Sequence, residues 1–532
     1  MNQELSKKIL EALASQGVTE FCVCAGNRNS PIIVSLEASQ GIKVFSFVDE
    51  RSAAFFAIGR IHALGGKPVA VVMTSGTAVA ECLPAVIEAY YQSLPLIIVS
   101  ADRPRHYRGS GAPQAIEQFG IFGLYAPVRA DVEYTDDPIE FPPTPLAVPA
   151  HINVSFGEPL LSDNVEGLDF SKQKIAPQPS DPLNWTQGIQ PDKPLVIVGA
   201  LTPSERPLVE DFLVRSQTAV WAESLSGLRG SSKIANLLLR SGDALLRQCL
   251  MDGIFKSVLR IGGVPTTRVW RDLEDSLEQV PVFSITHGDF TGLSRVSRHY
   301  SGFHHLKLVN ISQPVPPQQL MMIDQDRWSL IEVLMEKYPR SEVGLLCKLK
   351  KLTAGASLYL GNSLPIREWD LVNWDVSNAD VLGNRGANGI DGQLSTFLGW
   401  SCDLNSKGEG AGASWCVLGD LTALYDLNAP WILNQVGDGQ RNLVIINNEG
   451  GQIFRNFSKS SKMILPHQLR FKSWAEMWGA SYLQWQEIPS DLSTVAAPAP
   501  APAPAPAHKL RVIELLPDAE QSQRFNQEFQ LL

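Results

Sequence analysis

No stretch of the 532 residues approaches the ~18–20 consecutive apolar residues that a bilayer-spanning helix requires. Basic charge is also scarce. The 45 Lys and Arg are outnumbered by 55 Asp and Glu, and the resulting net charge of −10 excludes a general nucleic-acid binder with its basic surface. Cysteine is sparse and scattered: seven residues (22, 24, 82, 249, 347, 402 and 416), an odd number with no C-x-x-C, argue against a disulfide framework. They read as buried thiols in a reducing compartment, so a cytoplasmic enzyme is the expectation. None of the nine His pairs with another at metal-ligand spacing on one helix; His304 and His305 are neighbours expected to face apart, and no zinc is expected. No complete Gly-x-Gly-x-x-Gly follows a strand, and Gly262-Gly263 is too short for a dinucleotide site. The first residues, Met1 to Leu13, read as an amphipathic helix without the apolar core of a signal peptide.

What the chain does have is hydrophobic content, 44%, in short runs separated by glycine-rich and polar loops. Its length suits about three domains. Buried strands are predicted at Phe21–Cys24, Val44–Val48, Val69–Thr74, Leu96–Ser100 and near His151–Val154, with helical patterns between them. After a polar linker around Pro177 to Lys193, further strands are predicted at Leu195–Gly199, Ala219–Ala222, Val258–Ile261 and Val282–Ile285. A last set comprises Leu358–Leu360, a run near Val381, Trp415–Leu418, Leu443–Ile446 and Leu510–Leu515. The class is therefore α/β with parallel sheets flanked by helices, in domains expected at 1–180, 181–340 and 341–532. The Ala-Pro repeat from Ala497 to Ala507 predicts a stiff polyproline II spacer on a surface loop. In such sheets ligands sit beyond the C-terminal strand ends. Several polar residues fall there: Arg28, Glu50, Ser75, Thr77 and Arg103 in the first segment, and Arg268 and Arg385 in later ones.

The most informative stretch runs from Trp415 to Phe454. A buried strand ends in Gly419-Asp420-Leu421, a helix is predicted from Ala423 to about Val436, and a second strand ends in Asn447-Asn448-Glu449-Gly450-Gly451. A parallel βαβ unit would bring Asp420 and Asn448 side by side at one sheet edge. A carboxylate, an amide oxygen and a backbone carbonyl next to glycine are hard oxygen ligands. They suit Mg²⁺, which takes about six such ligands, some of them from a phosphate. Gly419 permits close approach, and N–H groups around Leu421 can meet phosphate oxygens. Asp420 alone would read as an ordinary helix cap; the Gly-Asp and Asn-Asn pairing at this spacing is more specific.

This stretch resembles the thiamine-diphosphate signature of 2-oxoacid decarboxylases and their relatives, which implies Asp420, Asn448 and the Gly450 carbonyl as metal ligands. Further motifs extend the likeness from end to end: Gly26-Asn27-Arg28-Asn29-Ser30-Pro31, Asp49-Glu50-Arg51-Ser52-Ala53-Ala54-Phe55, Thr74-Ser75-Gly76-Thr77-Ala78 and Ala101-Asp102-Arg103-Pro104. With Gly361-Asn362-Ser363, Asn384-Arg385-Gly386-Ala387-Asn388-Gly389-Ile390-Asp391-Gly392 and Gly450-Gly451-Gln452-Ile453-Phe454, they resemble the 2-succinyl-5-enolpyruvyl-6-hydroxy-3-cyclohexene-1-carboxylate synthase (MenD) family of menaquinone and phylloquinone biosynthesis. The resemblance implies thiamine diphosphate with Mg²⁺ (or Mn²⁺), decarboxylation of 2-oxoglutarate, and 1,4-addition of the succinyl-semialdehyde carbanion to isochorismate. It also implies a homo-oligomer, dimer or tetramer, with active sites shared between subunits. Two positions depart: Thr267 precedes Arg268 where the family has Lys, and Glu449 stands where Asn is common.

The resemblance assigns Glu50 to activation of the cofactor through a hydrogen bond to N1′, a role that asks for burial and a raised pKa. Without it, Glu50 would be a helix-start acid favoured by the macrodipole. Ile390 is implied as the prop for the bent cofactor, though the first core residue of a helix is an equally simple account. Gln452 and Ile453 are implied beside the cofactor. Both substrates are dicarboxylates and call for fixed cations. Arg28, Arg103, Arg268, Arg367 and Arg385 match family positions, as do Asn27, Gln114, Ser363 and Phe454 on the substrate side. Two other readings stand beside this one. A pyruvate-type carboligase resembling acetolactate synthase would not need the arginine set. A non-catalytic protein on the same fold would not need Glu50, Asp420 and Asn448.

Overall fold

A computed structural model of the chain describes residues 2–142, 146–161, 165–172, 188–374, 376–403, 413–455, 458, 460–490 and 509–532. The Ala-Pro spacer and most of the linker expected at 177–193 lie outside the described residues. The chain forms two compact units: Met1–Leu183 with Gly386–Glu409 and Leu424–Gly439, and Asn184–Arg385 with Gly410–Ala423 and Gln440–Leu532.

The first unit holds a six-stranded parallel sheet. Its strands are β1 (Glu20–Cys24), β2 (Lys43–Phe47), β3 (Val69–Met73), β4 (Leu96–Asp102), β5 (Val128–Val132) and β6 (Ala150–Ser155), in the order β2-β1-β3-β4-β6-β5. The four inner strands are buried along their whole length, as parallel strands covered on both faces must be, whereas β2 alternates buried and open positions at an edge. Order reverses between β1 and β3, so the loops after those strands open on a topological switch point. The helix Glu50–Ala63 packs against Gln393–Trp400. Side chains at Gly59 and Gly399 would run into the partner helix's backbone, so these two glycines allow the close approach.

The second unit holds two parallel sheets. One comprises β7 (Pro194–Val198), β8 (Val220–Ala222), β9 (Ser257–Ile261), β10 (Val282–Thr286) and β11 (Arg298–Ser301), ordered β11-β10-β9-β7-β8. The other comprises β12 (Ser357–Leu360), β13 (Asp380–Leu382), β14 (Ser414–Gly419), β15 (Arg441–Ile446), β16 (Ser481–Trp485) and β17 (Leu510–Leu515), ordered β13-β12-β14-β15-β17-β16. One continuous apolar core underlies both, from Ile189 through Trp369 and Trp415 to Phe525. Each fully buried Leu, Val or Ile in it contributes roughly 1.5–3 kcal/mol of transfer free energy. The last sheet switches order between β12 and β14, beside Asn362 and Asp420.

Two local expectations are corrected. The helix predicted from Ala423 to about Val436 does not form: a short helix, Asp420–Tyr425, stops, and a 3₁₀ segment, Ala429–Asn434, follows. Pro430 is the reason, since it lacks an N–H and disfavours a helical residue before it. His304 and His305 do not face apart. They lie in a 3₁₀ segment, Phe303–Leu308, with ring centroids 4.1 Å apart.

Candidate active site

The second unit gathers the acidic and amide groups predicted for a metal. β14 and β15 pair in parallel, with Gly419 opposite Ile446. The loops beyond them meet: the Gly450 N–H donates to Asp420 Oδ2 (2.9 Å), and Leu421 N–H donates to Asp420 Oδ1 (2.6 Å). Asp420 is buried, and burial raises its carboxyl pKa against the opposing pull of these N–H groups and of His467. Asn447 and Asn448 have separate tasks. The Asn447 amide donates to Glu514 (2.6 Å) and to the Leu469 carbonyl (2.9 Å), which ties the loop to the sheet. The Asn448 amide donates to Glu342 and leaves its Oδ1 buried without a hydrogen-bond donor among the described residues. Gly450 adopts φ 130°, and a side chain there would meet the Ile464 carbonyl, so glycine is required.

These groups fit a divalent ion bound together with a diphosphate. An orphaned buried amide oxygen and a buried carboxylate converge on one sheet edge, and hard cations select oxygen donors. Among the described residues, a side chain placed at Gly419 would meet nothing nearer than Thr422 Oγ1 at 4.0 Å, so the backbone there is open to a phosphate. Leu421 stands at the start of the following helix. The Gln452 amide donates to the Asn448 carbonyl (2.9 Å), while Ile453 and Phe454 follow in the same 3₁₀ turn, Phe454 exposed.

Sequence reasoning missed two neighbours of this cluster. His467 Nε2 lies 3.2 Å from Asp420 Oδ2, and Glu342 receives the Asn448 amide. His467 lies 47 positions beyond Asp420 and Glu342 more than 100 before Asn448, so no linear spacing signals either.

The predicted substrate arginines divide by position. In the second unit, Arg385 Nη1 donates to Asn362 Oδ1 (2.7 Å), and Asn362 in turn donates to the Asn384 carbonyl (2.8 Å). Arg367 donates to the Ser363 carbonyl. Its pKa is lowered by desolvation and then by the Arg385 cation nearby. Ser363 itself takes φ 75° just before the helix Leu364–Val372, which carries Arg367. Two guanidinium groups that repel one another, one on the helix Leu364–Val372 after β12 and one in the loop after β13, form an anion-attracting edge. Arg268 is exposed and paired with Asp272 (3.0 Å). Thr267 hydrogen-bonds Asp243.

In the first unit, Glu50 begins its helix behind Asp49, whose side chain accepts from Ser52 N–H (3.1 Å). Burial pushes the Glu50 carboxyl above its ordinary range, and the neighbouring Asp49 and Glu81 add to the shift. Arg28 is buried and held by the Phe156 carbonyl (3.0 Å) and Glu158 (3.2 Å), while Asn27 beside it is exposed. Arg103 donates to the Pro113 carbonyl (3.0 Å) and lies over the Tyr107 ring. Gln114, at φ 55°, closes over Gly76. Glu88, also missed in the sequence, accepts from the N–H groups of Gly386 (2.7 Å) and Ala387 (2.6 Å), and so pins the loop that leads to Ile390.

Parallel α/β sheets with this carboxylate–amide edge define a class, the thiamine-diphosphate enzymes, and the comparisons agree. Residues 3–121 match the thiamine pyrophosphate enzyme N-terminal TPP-binding domain. A solved chain from Mycobacterium smegmatis, described as a thiamin diphosphate-dependent enzyme, superposes with a TM-score of 0.65 over 96% of this chain and 99% of its own, at 13% identity. At that identity the likeness speaks for the fold alone. Sequence relatives are more specific. A 2-succinyl-5-enolpyruvyl-6-hydroxy-3-cyclohexene-1-carboxylate synthase from Bdellovibrio bacteriovorus is 44% identical over 100% of this chain and 99% of its own length. One of the same name from Akkermansia muciniphila is 37% identical over 97% of both. The chain belongs to the 2-succinyl-5-enolpyruvyl-6-hydroxy-3-cyclohexene-1-carboxylate synthase family.

Proposed function

We propose that this enzyme takes 2-oxoglutarate and isochorismate, releases CO₂ and joins the remaining four-carbon unit to the isochorismate ring, as the name of its relatives implies. Thiamine diphosphate, when bound, supplies the electron sink for the decarboxylation. Asp420, Asn448 and the Gly450 carbonyl would hold Mg²⁺, and the open backbone at Gly419, with Leu421 at the helix start beside it, would receive the diphosphate. Glu50 would share a proton with N1′ of the cofactor, a task its raised pKa supports. Ile390, Gln452 and Ile453 would bracket the ring system. Arg367 and Arg385 would bind substrate carboxylates, with Arg28, Arg103, Arg268, Asn27, Gln114, Ser363 and Phe454 completing the substrate side. We assign domains 1–180, 181–340 and 341–532 to pyrimidine binding, the centre and diphosphate binding. The protein would work in the cytoplasm, consistent with its seven scattered cysteines, and as a homo-oligomer with shared sites.

The observation that carries this reading is the buried Asn448 oxygen, without a donor among the described residues, on the same sheet edge as buried Asp420, in a chain 44% identical end to end to a named synthase. Turnover with 2-oxoglutarate and isochorismate, followed as CO₂ release and coupled product, tests it. Pyruvate in place of 2-oxoglutarate should give little product. Efficient use of pyruvate would favour the acetolactate-synthase type of reaction instead.

A further inference from the structure

We propose that Glu342 is a positioning residue for the metal site, holding the Asn448 amide so that its oxygen, not its nitrogen, meets the cation. This rests on the metal reading above. An asparagine amide has two nearly equal ends, and only the oxygen end ligates a hard cation. Something must therefore select the rotation. In this structure Asn448 Nδ2 donates to Glu342 Oε1, and Oδ1 on the other side is buried with no donor among the described residues. Turning the amide over would set its oxygen against a carboxylate oxygen and an NH₂ group toward the cation, so both ends would lose.

Glu342 is itself firmly held. It opens the helix Glu342–Leu352, which Ser341 caps by accepting from the Gly344 N–H (3.0 Å). Its own N–H donates to Ser522 Oγ (3.1 Å), and the residue is buried. Its setting is unfavourable for a merely structural acid. Asp420 and Glu368 both bear on it, and Glu368 Oε2 is buried without a partner among the described residues. A carboxyl group kept among carboxyl groups in a buried place is costly, and an apolar side chain would fill the space without that cost. The Asn448 bond is what an apolar side chain cannot replace. Gln452, donating to the Asn448 carbonyl, fixes the backbone of the same residue, so the amide rotation is the freedom that Glu342 removes.

The test is calorimetric titration of the full chain with Mg²⁺ in the presence of thiamine diphosphate, alongside melting of the protein without either. Glu342→Gln keeps an acceptor at Oε1 and should stay within about threefold of wild-type Mg²⁺ affinity. Glu342→Met keeps length without an acceptor and should weaken Mg²⁺ roughly 10–100-fold, the usual effect of losing an outer partner of a metal ligand. In an Asn448→Ala background, Glu342→Met should change Mg²⁺ affinity no further. Wild-type affinity in Glu342→Met overturns the proposal. So does an equal loss in the Gln and Met variants, or a full further loss in the Asn448→Ala background, the last of which stands even if Met lowers the melting temperature. Asp420→Ala separates the two levels: unchanged Mg²⁺ affinity there brings down the metal reading itself.

Discussion

His151 should make the first unit acid-labile, by an amount the structure sets. It lies in β6, buried, with Nε2 2.7 Å from Ser100 Oγ and its ring edge-on to Phe122. Burial pushes its pKa down from the ordinary 6.5 to about 3; Asp131 opposes the shift and Arg129 adds to it. The folded state thus prefers the neutral ring. This stabilisation is present above pH 6.5 and is lost as pH falls through the window down to about 3. At about 1.4 kcal/mol per pH unit, the loss is roughly 3 kcal/mol between pH 7 and pH 4, approaching about 5 kcal/mol below pH 3. His151→Gln keeps a hydrogen-bonding partner for Ser100 but cannot take up a proton. The variant should be less stable than wild type at pH 7, and the gap should close and then reverse on acidification. Urea unfolding of both proteins at steps from pH 7 to pH 4 reads this, because every other titrating group is common to the two. Parallel stability curves, or a His151 ring that titrates near 6.5 by NMR, would refute the reasoning.

Other outcomes follow from the site. Asp420→Ala should abolish Mg²⁺-dependent binding of thiamine diphosphate with the fold retained; calorimetry showing unchanged cofactor affinity would count against the metal ligands. Glu50→Gln should keep the cofactor but slow deuterium exchange at its C2 severely, since an amide cannot share the N1′ proton, and a wild-type exchange rate would remove Glu50 from the chemistry. Arg385→Ala should raise the barrier that kcat/KM reports for the dicarboxylate substrates by about 3–5 kcal/mol, the scale of breaking a desolvated charge pair, while cofactor affinity holds; kinetic constants near wild type would make it a surface group. If active sites are shared between subunits, Glu50→Gln and Asp420→Ala chains refolded together in equal amounts should regain roughly a quarter of wild-type activity, as random pairing in a two-fold dimer predicts. No regained activity, with mixed dimers confirmed by mass, would rule the sharing out.

The parallel α/β class and most strands were legible in the sequence because the inner strands of a covered sheet must be apolar along their whole length. Val69–Met73 and Leu195–Val198 announce themselves for that reason. The strands that escaped, Val128–Val132, Arg298–Ser301 and Ser481–Trp485, all lie at sheet edges, where one side meets no neighbouring strand and polar side chains such as Arg298 and Gln484 are tolerated. Asp420, Asn448 and Gly450 could be picked out because a βαβ unit ties strand ends together over a short stretch of chain. Tertiary structure alone decided what surrounds them. Glu342, His467 and the division of labour between Asn447 and Asn448 depend on segments far apart in sequence meeting at one edge, and no local pattern encodes such a meeting. The same holds for Glu88, whose carboxylate grips a loop some 300 residues away. Local chemistry specified which elements form; the packing of distant elements set which way each polar group points and which of them is left without a partner.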